Sequence, residues 1–257
     1  MLKKLLLISL LLFLVFPYGC RKKVNTRPGY MTKGTPDYMV NQGYRYLNSG
    51  ALRISEEKFK NALKKIPNHI KAINGLGIVY LKLKKFDKSL FMFKKVISLN
   101  PDQIDAYNFM GIIYSEKGEY EPAKENFLIA ANSKIYQTPE NAFVNLAMLE
   151  LKKGKNNSAL RYIEKGITKN SEFTQLYNLR GTIYEMKGFY KKAVQSYERA
   201  LLLSSADNVS LRINIARSYL KMGQKIKARN LLEKMLGEAP SENIKKQIRS
   251  MIKEAEK

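Results

Sequence analysis

The chain has 257 residues, with 46 Lys and Arg against 22 Asp and Glu, and a formal charge of +24. It contains one cysteine and one histidine, too few for an internal disulfide or for the usual ligand set of a zinc site. The sequence has no glycine-rich phosphate loop, zinc-protease helix motif or nucleophile elbow. We therefore expect a protein that has no metal, no cofactor and no enzymatic activity.

The positive charge has two interpretations. A strongly basic chain could bind RNA, DNA or an anionic membrane surface. The chain is also rich in Lys, Asn, Ile and Tyr together, a residue set that could reflect genome composition rather than selection for a polyanion. Excess charge affects solubility and non-specific contacts more than specific function, so we favour the second interpretation.

Residues 1–19 have the pattern of an export signal. Lys3 and Lys4 form a short positive segment, and residues 5–16 form an apolar run interrupted by a single Ser. This run is shorter than the roughly 17–25 residues that span a bilayer as a helix, but it suits the core of a secretory signal peptide. We predict export, which removes the chain from cytoplasmic nucleic acid and argues against a nucleic-acid partner.

Gly19 directly precedes Cys20 at the end of the apolar run, and this arrangement resembles a bacterial lipoprotein signal. The resemblance implies that Cys20 becomes the lipidated first residue of the mature chain and tethers it to a membrane. Arg21, where an Asp would imply retention, fits sorting to the outer membrane by resemblance to proteobacterial lipoproteins. Pro17 and Tyr18 depart from the usual lipobox, and a plain cleaved signal that leaves a free thiol is the alternative.

Residues 20–35, which begin with the lipidated cysteine, have the composition of a basic tether. The segment contains five Lys and Arg residues together with Pro28, Gly29 and Gly34, and it has little apolar periodicity. The basic cluster could contact anionic headgroups beside a lipid anchor, or it could be a solvated spacer. The composition favours neither interpretation.

From Pro36 onward, a sequence pattern returns about every 34 residues. A typical copy has a small residue, an aromatic residue three places later, then a second apolar residue (most often Phe or Tyr) and an Ala or similar residue. Read copy by copy, the pattern comprises Gly43, Tyr46, Phe59, Ala62; Gly77, Tyr80, Phe93, Val96; Gly111, Tyr114, Phe127, Ala130; Ala147, Ile163, Gly166; Gly181, Tyr184, Tyr197, Ala200; and Ala216, Tyr219, Leu232, Met235.

The spacing within each copy predicts two helices. In the first copy, Met39, Gly43 and Leu47 follow one another at intervals of one helical turn. Residues 56–66 form the predicted second helix, which Pro67 terminates. The small residue lets the two helices approach closely, and the aromatic residue of the second helix fills the remaining space.

These residues resemble the diagnostic positions of the tetratricopeptide repeat (TPR). The resemblance implies an all-α fold, a superhelical solenoid with six TPR repeats over residues 36–240 and a capping helix over residues 241–257. The fourth copy departs from the pattern, because Glu150 replaces the aromatic residue and Gly166 replaces Ala. Arrays of this kind usually bind other proteins.

The resemblance also implies a concave groove, lined by the first helix of each repeat, that binds a protein partner. A row of amides there could hydrogen-bond the backbone of an extended segment, at roughly 1 kcal/mol per bond; alternatively, Asn is simply tolerated on an exposed helix face. The predicted groove residues are Asn74, Ile78, Asn108, Ile112, Asn145, Met148, Asn178 and Asn214.

The joint between the third and fourth copies, residues 132–146, carries two residues more than the period of about 34. It contains Tyr136-Gln137-Thr138-Pro139 and then Ala142-Phe143-Val144-Asn145-Leu146, and it resembles the same joint in the type IV pilus biogenesis lipoproteins. That resemblance implies a pilotin, which binds the outer-membrane secretin subunit and promotes assembly of its ring, on the periplasmic side of the outer membrane.

Two other functions stay open at this point. A generic envelope scaffold lipoprotein would recruit other cell-envelope proteins or enzymes, and the repeats fit that role equally well. A nucleic-acid-binding array would use the positive charge, and export argues against it. The sequence leaves the oligomeric state and the bound segment open.

Overall fold

The computed structural model describes residues 32–204, 208–239 and 241–256. Within these ranges the regular secondary structure consists of helices, and none is long and apolar enough to cross a membrane. The predicted signal peptide, Cys20 and the tether up to residue 31 lie outside the described residues. The helices are α1 (Pro36–Asn48), α2 (Leu52–Lys65), α3 (Ile70–Lys82), α4 (Phe86–Leu99), α5 (Ile104–Glu116), α6 (Tyr120–Asn132), α7 (Pro139–Lys152), α8 (Asn156–Lys169), α9 (Thr174–Met186), α10 (Tyr190–Leu202), α11 (Val209–Lys221), α12 (Lys225–Glu238) and α13 (Glu242–Glu256).

Helices α1 to α12 form six consecutive pairs, and each pair packs on the next one. The first helices also contact one another from α1 through α9, which places them on the inner side of the curved stack. Helix α13 covers α12 and contacts α11, with Ile248 buried against the last pair. The expected all-α TPR solenoid is confirmed.

The two helices of a pair meet where a small residue of the first faces a ring of the second. A Cβ added to Gly111 would lie 2.6 Å from Cδ1 of Phe127, and one added to Gly181 would lie 2.5 Å from Cε1 of Tyr197. Both rings are buried, with 2% and 0% of their surface exposed. The ring therefore occupies the space that any larger residue in the first helix would need.

The two helices of the fourth pair also pack closely, but through different side chains. Ala147 replaces the glycine and Ile163 replaces the ring, and both are fully buried. The departure at Gly166 has a steric reason, since a Cβ there would lie 2.8 Å from Cδ2 of Leu176 in the next pair. Leu176, itself fully buried, packs where the other repeats carry the larger Ala, Val or Met side chain.

In the first two pairs a buried serine bonds the opposite backbone. Ser55 donates to the Gly43 carbonyl at 2.8 Å, and Ser89 donates to the Gly77 carbonyl at 2.7 Å. The sequence pattern indicated that the second helix begins at residue 56, but α2 begins at Leu52, one turn earlier. The additional turn brings Ser55 against the first helix.

The irregular joint between the third and fourth pairs is packed into the core. Tyr136 is 9% exposed and lies in a cluster with Phe127, Phe143 and Leu146. Pro139 occupies the first turn of α7, where its missing N–H costs no hydrogen bond. The two extra residues therefore contribute a tyrosine ring to the interface between repeats.

Substituting Ala for Gly111 should destabilise the fold, because the new methyl group would overlap the Phe127 ring. We expect a loss of about 1–3 kcal/mol in the free energy of unfolding, measured by urea denaturation. Gly237→Ala is the matched control, since it also lies in a helix but a Cβ there meets nothing within 4 Å. That control should be neutral, or more stable by up to about 1 kcal/mol; equal losses for both variants would contradict the packing argument.

The stability of the joint should depend on pH through Tyr136. Burial raises the pKa of its hydroxyl to about 12, with the nearby Asp105 and Glu140 charges acting in the same direction and a hydrogen bond with Thr138 against it. In the unfolded chain the hydroxyl ionises near its ordinary pKa of about 10. Between pH 10 and 12 the hydroxyl is protonated in the folded state more often than in the unfolded state. The contribution of Tyr136 to stability is therefore complete below pH 10 and is lost as the pH rises to 12.

Tyr136→Phe should remove this contribution. We expect the free energy of unfolding of the variant to fall less steeply than that of the unmodified protein as the pH rises from about 10 to 12. Denaturation curves taken at intervals across that range measure the difference. Parallel pH profiles would contradict the assignment.

Candidate protein-binding groove

The groove predicted from the sequence lies along the inner layer of first helices. Its predicted residues map to five consecutive first helices, and each lies three or two places before the buried small residue or one place after it. They are Asn74 and Ile78 on α3, Asn108 and Ile112 on α5, Asn145 and Met148 on α7, Asn178 on α9, and Asn214 on α11.

The structure brings three of the predicted residues together in one cleft. Ile112, Asn145 and Met148 line a depression between α5 and α7. The Met148 side chain is 48% exposed, whereas Ile112 is half-buried against the core. This combination of an exposed thioether, an aliphatic wall and an amide could hold an apolar side chain of a partner next to its backbone.

Charged groups form the edge of this cleft. The Lys152 ammonium donates to the Glu116 carboxylate at 2.9 Å and to the Ser115 hydroxyl at 3.3 Å. Both partners lie on α5, so the lysine links the two first helices directly. Exposed pairs of this kind contribute little to stability, and their charges stay available to a partner.

The amides differ in what they can offer to a partner. The Asn145 amide nitrogen donates to Oδ1 of Asn108 at 2.9 Å, and Asn108 is only 7% exposed. In α11, Oδ1 of Asn214 accepts from Nη1 of Arg217 at 3.0 Å. These acceptors are already occupied, so the column is not a uniform row of free amides.

Two asparagine side chains have a carbonyl oxygen without a hydrogen-bond partner. The Oδ1 atoms of Asn74 and Asn178 are buried and have no hydrogen-bond partner in the described structure. A buried, unpaired carbonyl oxygen costs about 1–3 kcal/mol. Both oxygens are shielded from solvent in this structure, so these two amides present no free acceptor to a partner.

Three groove residues were missed by the sequence reasoning. Tyr44, Thr182 and Arg217 directly follow the small residue of their helices, the same register position as Ile78, Ile112 and Met148. The repeat of about 34 residues places one such position directly after the small residue of every copy, so the sequence period alone predicts these three residues. They show that the inner surface is aromatic or aliphatic toward the N-terminal end and charged toward the C-terminal end.

The charged end is held by a connected set of side chains. The Tyr197 hydroxyl donates to Oε2 of Glu185 at 2.8 Å, and Arg217 lies 3.5 Å from Oε1 of the same carboxylate. Burial raises the pKa of the Tyr197 hydroxyl, and the Glu185 charge adds to that effect. Glu185 thus accepts from one side chain of its own pair and approaches another in the next pair.

Family comparisons match the repeats directly. The model described as "Tetratricopeptide repeat" matches residues 70–103, and a second model of the same description matches residues 104–130. A model described as "Tetratricopeptide repeat protein 21 C-terminal ARM domain" matches residues 128–252. These matches cover the helix pairs from α3 onward.

One curated relative is anaphase-promoting complex subunit 3 from Schizosaccharomyces pombe (strain 972 / ATCC 24843). It is 32% identical over 130 residues, which are 50% of this chain and 19% of that protein. The chain therefore spans about a fifth of the length of the curated relative that it matches.

Solved structures share the fold over most of the chain. PilF from Pseudomonas aeruginosa superposes with a TM-score of 0.66 at 18% identity, over 84% of this chain and 96% of that one. PilW, a widely conserved type IV pilus biogenesis factor, superposes with a TM-score of 0.70 at 16% identity, over 83% and 97%. The chain is therefore a tetratricopeptide-repeat protein, an all-α superhelix that resembles the pilus proteins PilF and PilW in fold.

Proposed function

We propose that this protein is a non-enzymatic lipoprotein whose concave groove binds a segment of a protein partner, and that it acts as a pilotin for secretin assembly in type IV pilus biogenesis. The observation that carries the binding function is the cleft between α5 and α7. There Ile112, Asn145 and Met148 meet on the inner face of a TPR stack. Arrays with this architecture use the extended inner surface for binding.

The chemistry of the cleft indicates what it would bind. An apolar side chain would contact Met148 and Ile112, and the exposed part of Met148 would be covered in the complex. Lys152 and Glu116 at the edge would position polar groups on either side of that anchor. A short segment with one central apolar residue and flanking polar residues fits this pattern.

The assignment to pilus assembly has two supports. The likeness in fold to PilF and PilW extends over 96% and 97% of those chains, so few elements of either protein lack a counterpart here. The joint around Tyr136 and Pro139 resembles the corresponding joint of pilus biogenesis lipoproteins in sequence. In this proposal, Cys20 carries the lipid, and the repeats lie on the periplasmic side of the outer membrane.

A generic envelope scaffold is the second candidate. The similarity to anaphase-promoting complex subunit 3 favours it, because that relative is a subunit of a larger complex. A scaffold would use the same groove for a different partner, such as a cell-envelope enzyme. The two proposals therefore differ in the identity of the bound protein.

Deletion of the gene tests the pilotin proposal directly. We expect secretin multimers to disappear from outer-membrane fractions while the secretin monomer persists, and reintroduction of the intact gene should restore them. Unchanged multimers would contradict the pilotin role. Photo-crosslinking from position 148 that captures mainly cell-wall enzymes would favour the scaffold instead.

A point substitution in the cleft should reduce partner binding, whereas the same substitution elsewhere on the surface should not. Met148→Lys places an ammonium group in the cleft beside Lys152, so we expect affinity for the partner to fall by about tenfold or more. Phe91→Lys is the matched control, because Phe91 is also an exposed apolar residue, 65% accessible, but lies on the second helix α4. Equal secretin multimer levels in both variants would contradict binding at the cleft.

A further inference from the structure

The fourth repeat lacks a side chain that the other repeats share. The residue three places after the small residue is a tyrosine in five of the six helix pairs, and we refer to this position as the slot position. The slot tyrosines are Tyr46, Tyr80, Tyr114, Tyr184 and Tyr219, and Glu150 occupies the slot position in the fourth pair.

The second pair shows what the slot tyrosine contacts. The Tyr80 ring lies beneath the ammonium groups of Lys85 and Lys88, at 5.8 and 6.0 Å from its centroid. Its hydroxyl donates to the Glu56 carboxylate of the preceding pair at 3.4 Å. The slot is therefore a space between consecutive pairs, filled by a ring and covered by cations.

Later pairs repeat the arrangement. Lys192 lies 5.6 Å from the Tyr184 ring, and Lys227 lies 5.8 Å from the Tyr219 ring. The Tyr219 hydroxyl again donates to a carboxylate of the preceding pair, that of Glu198, at 3.4 Å. Filling of the slot by tyrosine is thus a regular feature of this solenoid.

In the fourth pair the slot is an open pocket of about 220 Å³. Glu150 is only 4% exposed and lies at its base, where its carboxylate approaches the Lys124 ammonium to 4.0 Å. Lys124 stands at the position of α6 that corresponds to Glu56 in α2. The carboxylate thus comes from the slot position here, whereas in the second pair it comes from the preceding pair. The slot tyrosine is absent, and the Tyr162 ring lines the pocket from α8 with the Lys165 ammonium 5.9 Å from its centroid.

The lining of the pocket is strongly cationic. Four cations, Lys124, Lys155, Arg161 and Lys165, surround the single carboxylate of Glu150. Within the described residues, no carboxylate lies within ion-pair distance of Lys155, Arg161 or Lys165. Glu121, which bonds Lys153, is close enough to Lys124 and Lys155 for their charges to help lower its pKa. Even with this second carboxylate nearby, the four lining cations leave an excess of positive charge at the pocket.

Two further features favour an anion at the pocket. Arg161 donates to the Ser158 hydroxyl at 2.9 Å, which holds its guanidinium on the rim. Lys155 is the N-cap residue of α8, a helix that begins without a side-chain cap, and Ser158 in its first turn lines the pocket. The positive end of the helix dipole therefore lies at the same rim.

We propose that this pocket binds a phosphate ester whose carrier bears a hydroxyl group close to the phosphate. Arginine and lysine groups donate charge-assisted hydrogen bonds to phosphate oxygens, and the excess of cations at the rim matches its charge. The Glu150 carboxylate accepts a hydrogen bond from the hydroxyl, so the pocket prefers a hydroxylated ester over bare phosphate. Glycerol 3-phosphate is the simplest ligand with both groups.

Calorimetric titration of the full-length chain in zwitterionic micelles tests this site. We expect saturable binding of glycerol 3-phosphate that is tighter than that of inorganic phosphate. Glu150→Tyr installs the ring present in the other five pairs, so the variant should fold and its filled slot should weaken binding by about tenfold or more. Arg161→Glu should weaken binding similarly, by reversing one charge of the rim.

Lys94→Glu is the charge-matched control, since Lys94 is exposed on α4 and lies away from the pocket. Its binding should equal that of the unmodified chain. Absence of saturable binding, undiminished binding by Glu150→Tyr, or equal losses in Lys94→Glu and Arg161→Glu would each overturn the proposal. With the site established, competition by micelles that contain phosphatidylglycerol would identify a lipid headgroup as the source of the ester, and lack of competition would identify a soluble ester.

Discussion

The structure depends on the close approach of two helices at a small residue that faces a ring. Gly43, Gly77, Gly111 and Gly181 all lie where an added Cβ would come within about 3 Å of a buried aromatic side chain. Where the first helix has Ala147 or Ala216 instead, the opposing side chain is the smaller Ile163 or Leu232. The larger residue on the first helix is thus compensated by a smaller side chain on the second. Cores tolerate substitutions best when the total side-chain volume is conserved.

Because this contact fixes each pair, the remaining positions are free to differ between repeats. The position directly after the small residue always faces the inner side of the stack, yet it carries Tyr44 in the first pair and Arg217 in the last. The slot tyrosines Tyr80 and Tyr219 each bond a carboxylate of the preceding pair, and the slot position has a tyrosine in five of the six pairs, with Glu150 in the fourth. One set of core contacts thus supports both the varied groove and the exceptional pocket.

The sequence predicted what depends on local spacing and missed what depends on distant partners. The period indicated the helix pairs, their inner faces and the register of the groove residues, because each is set within one repeat. The burial of Asn108 depends on Asn145, which lies 37 residues later and beyond the irregular joint. Similarly, Glu150 was recognised only as a departure from the pattern, since the cations around it come from other helices. The signal peptide and lipidation of Cys20 stay predictions.

The groove and the pocket meet on α7, but on opposite sides of it. Met148 and Glu150 are two residues apart, which is about 200° around a helix. One turn later, neighbouring lysines again contact different helices: Lys152 bonds Glu116 of α5, and Lys153 bonds Glu121 of α6 at 2.7 Å. A ligand in the proposed pocket would therefore leave the proposed groove open. Coupling between the two would require a shift of α7 against α5, which would strain the Asn145–Asn108 hydrogen bond.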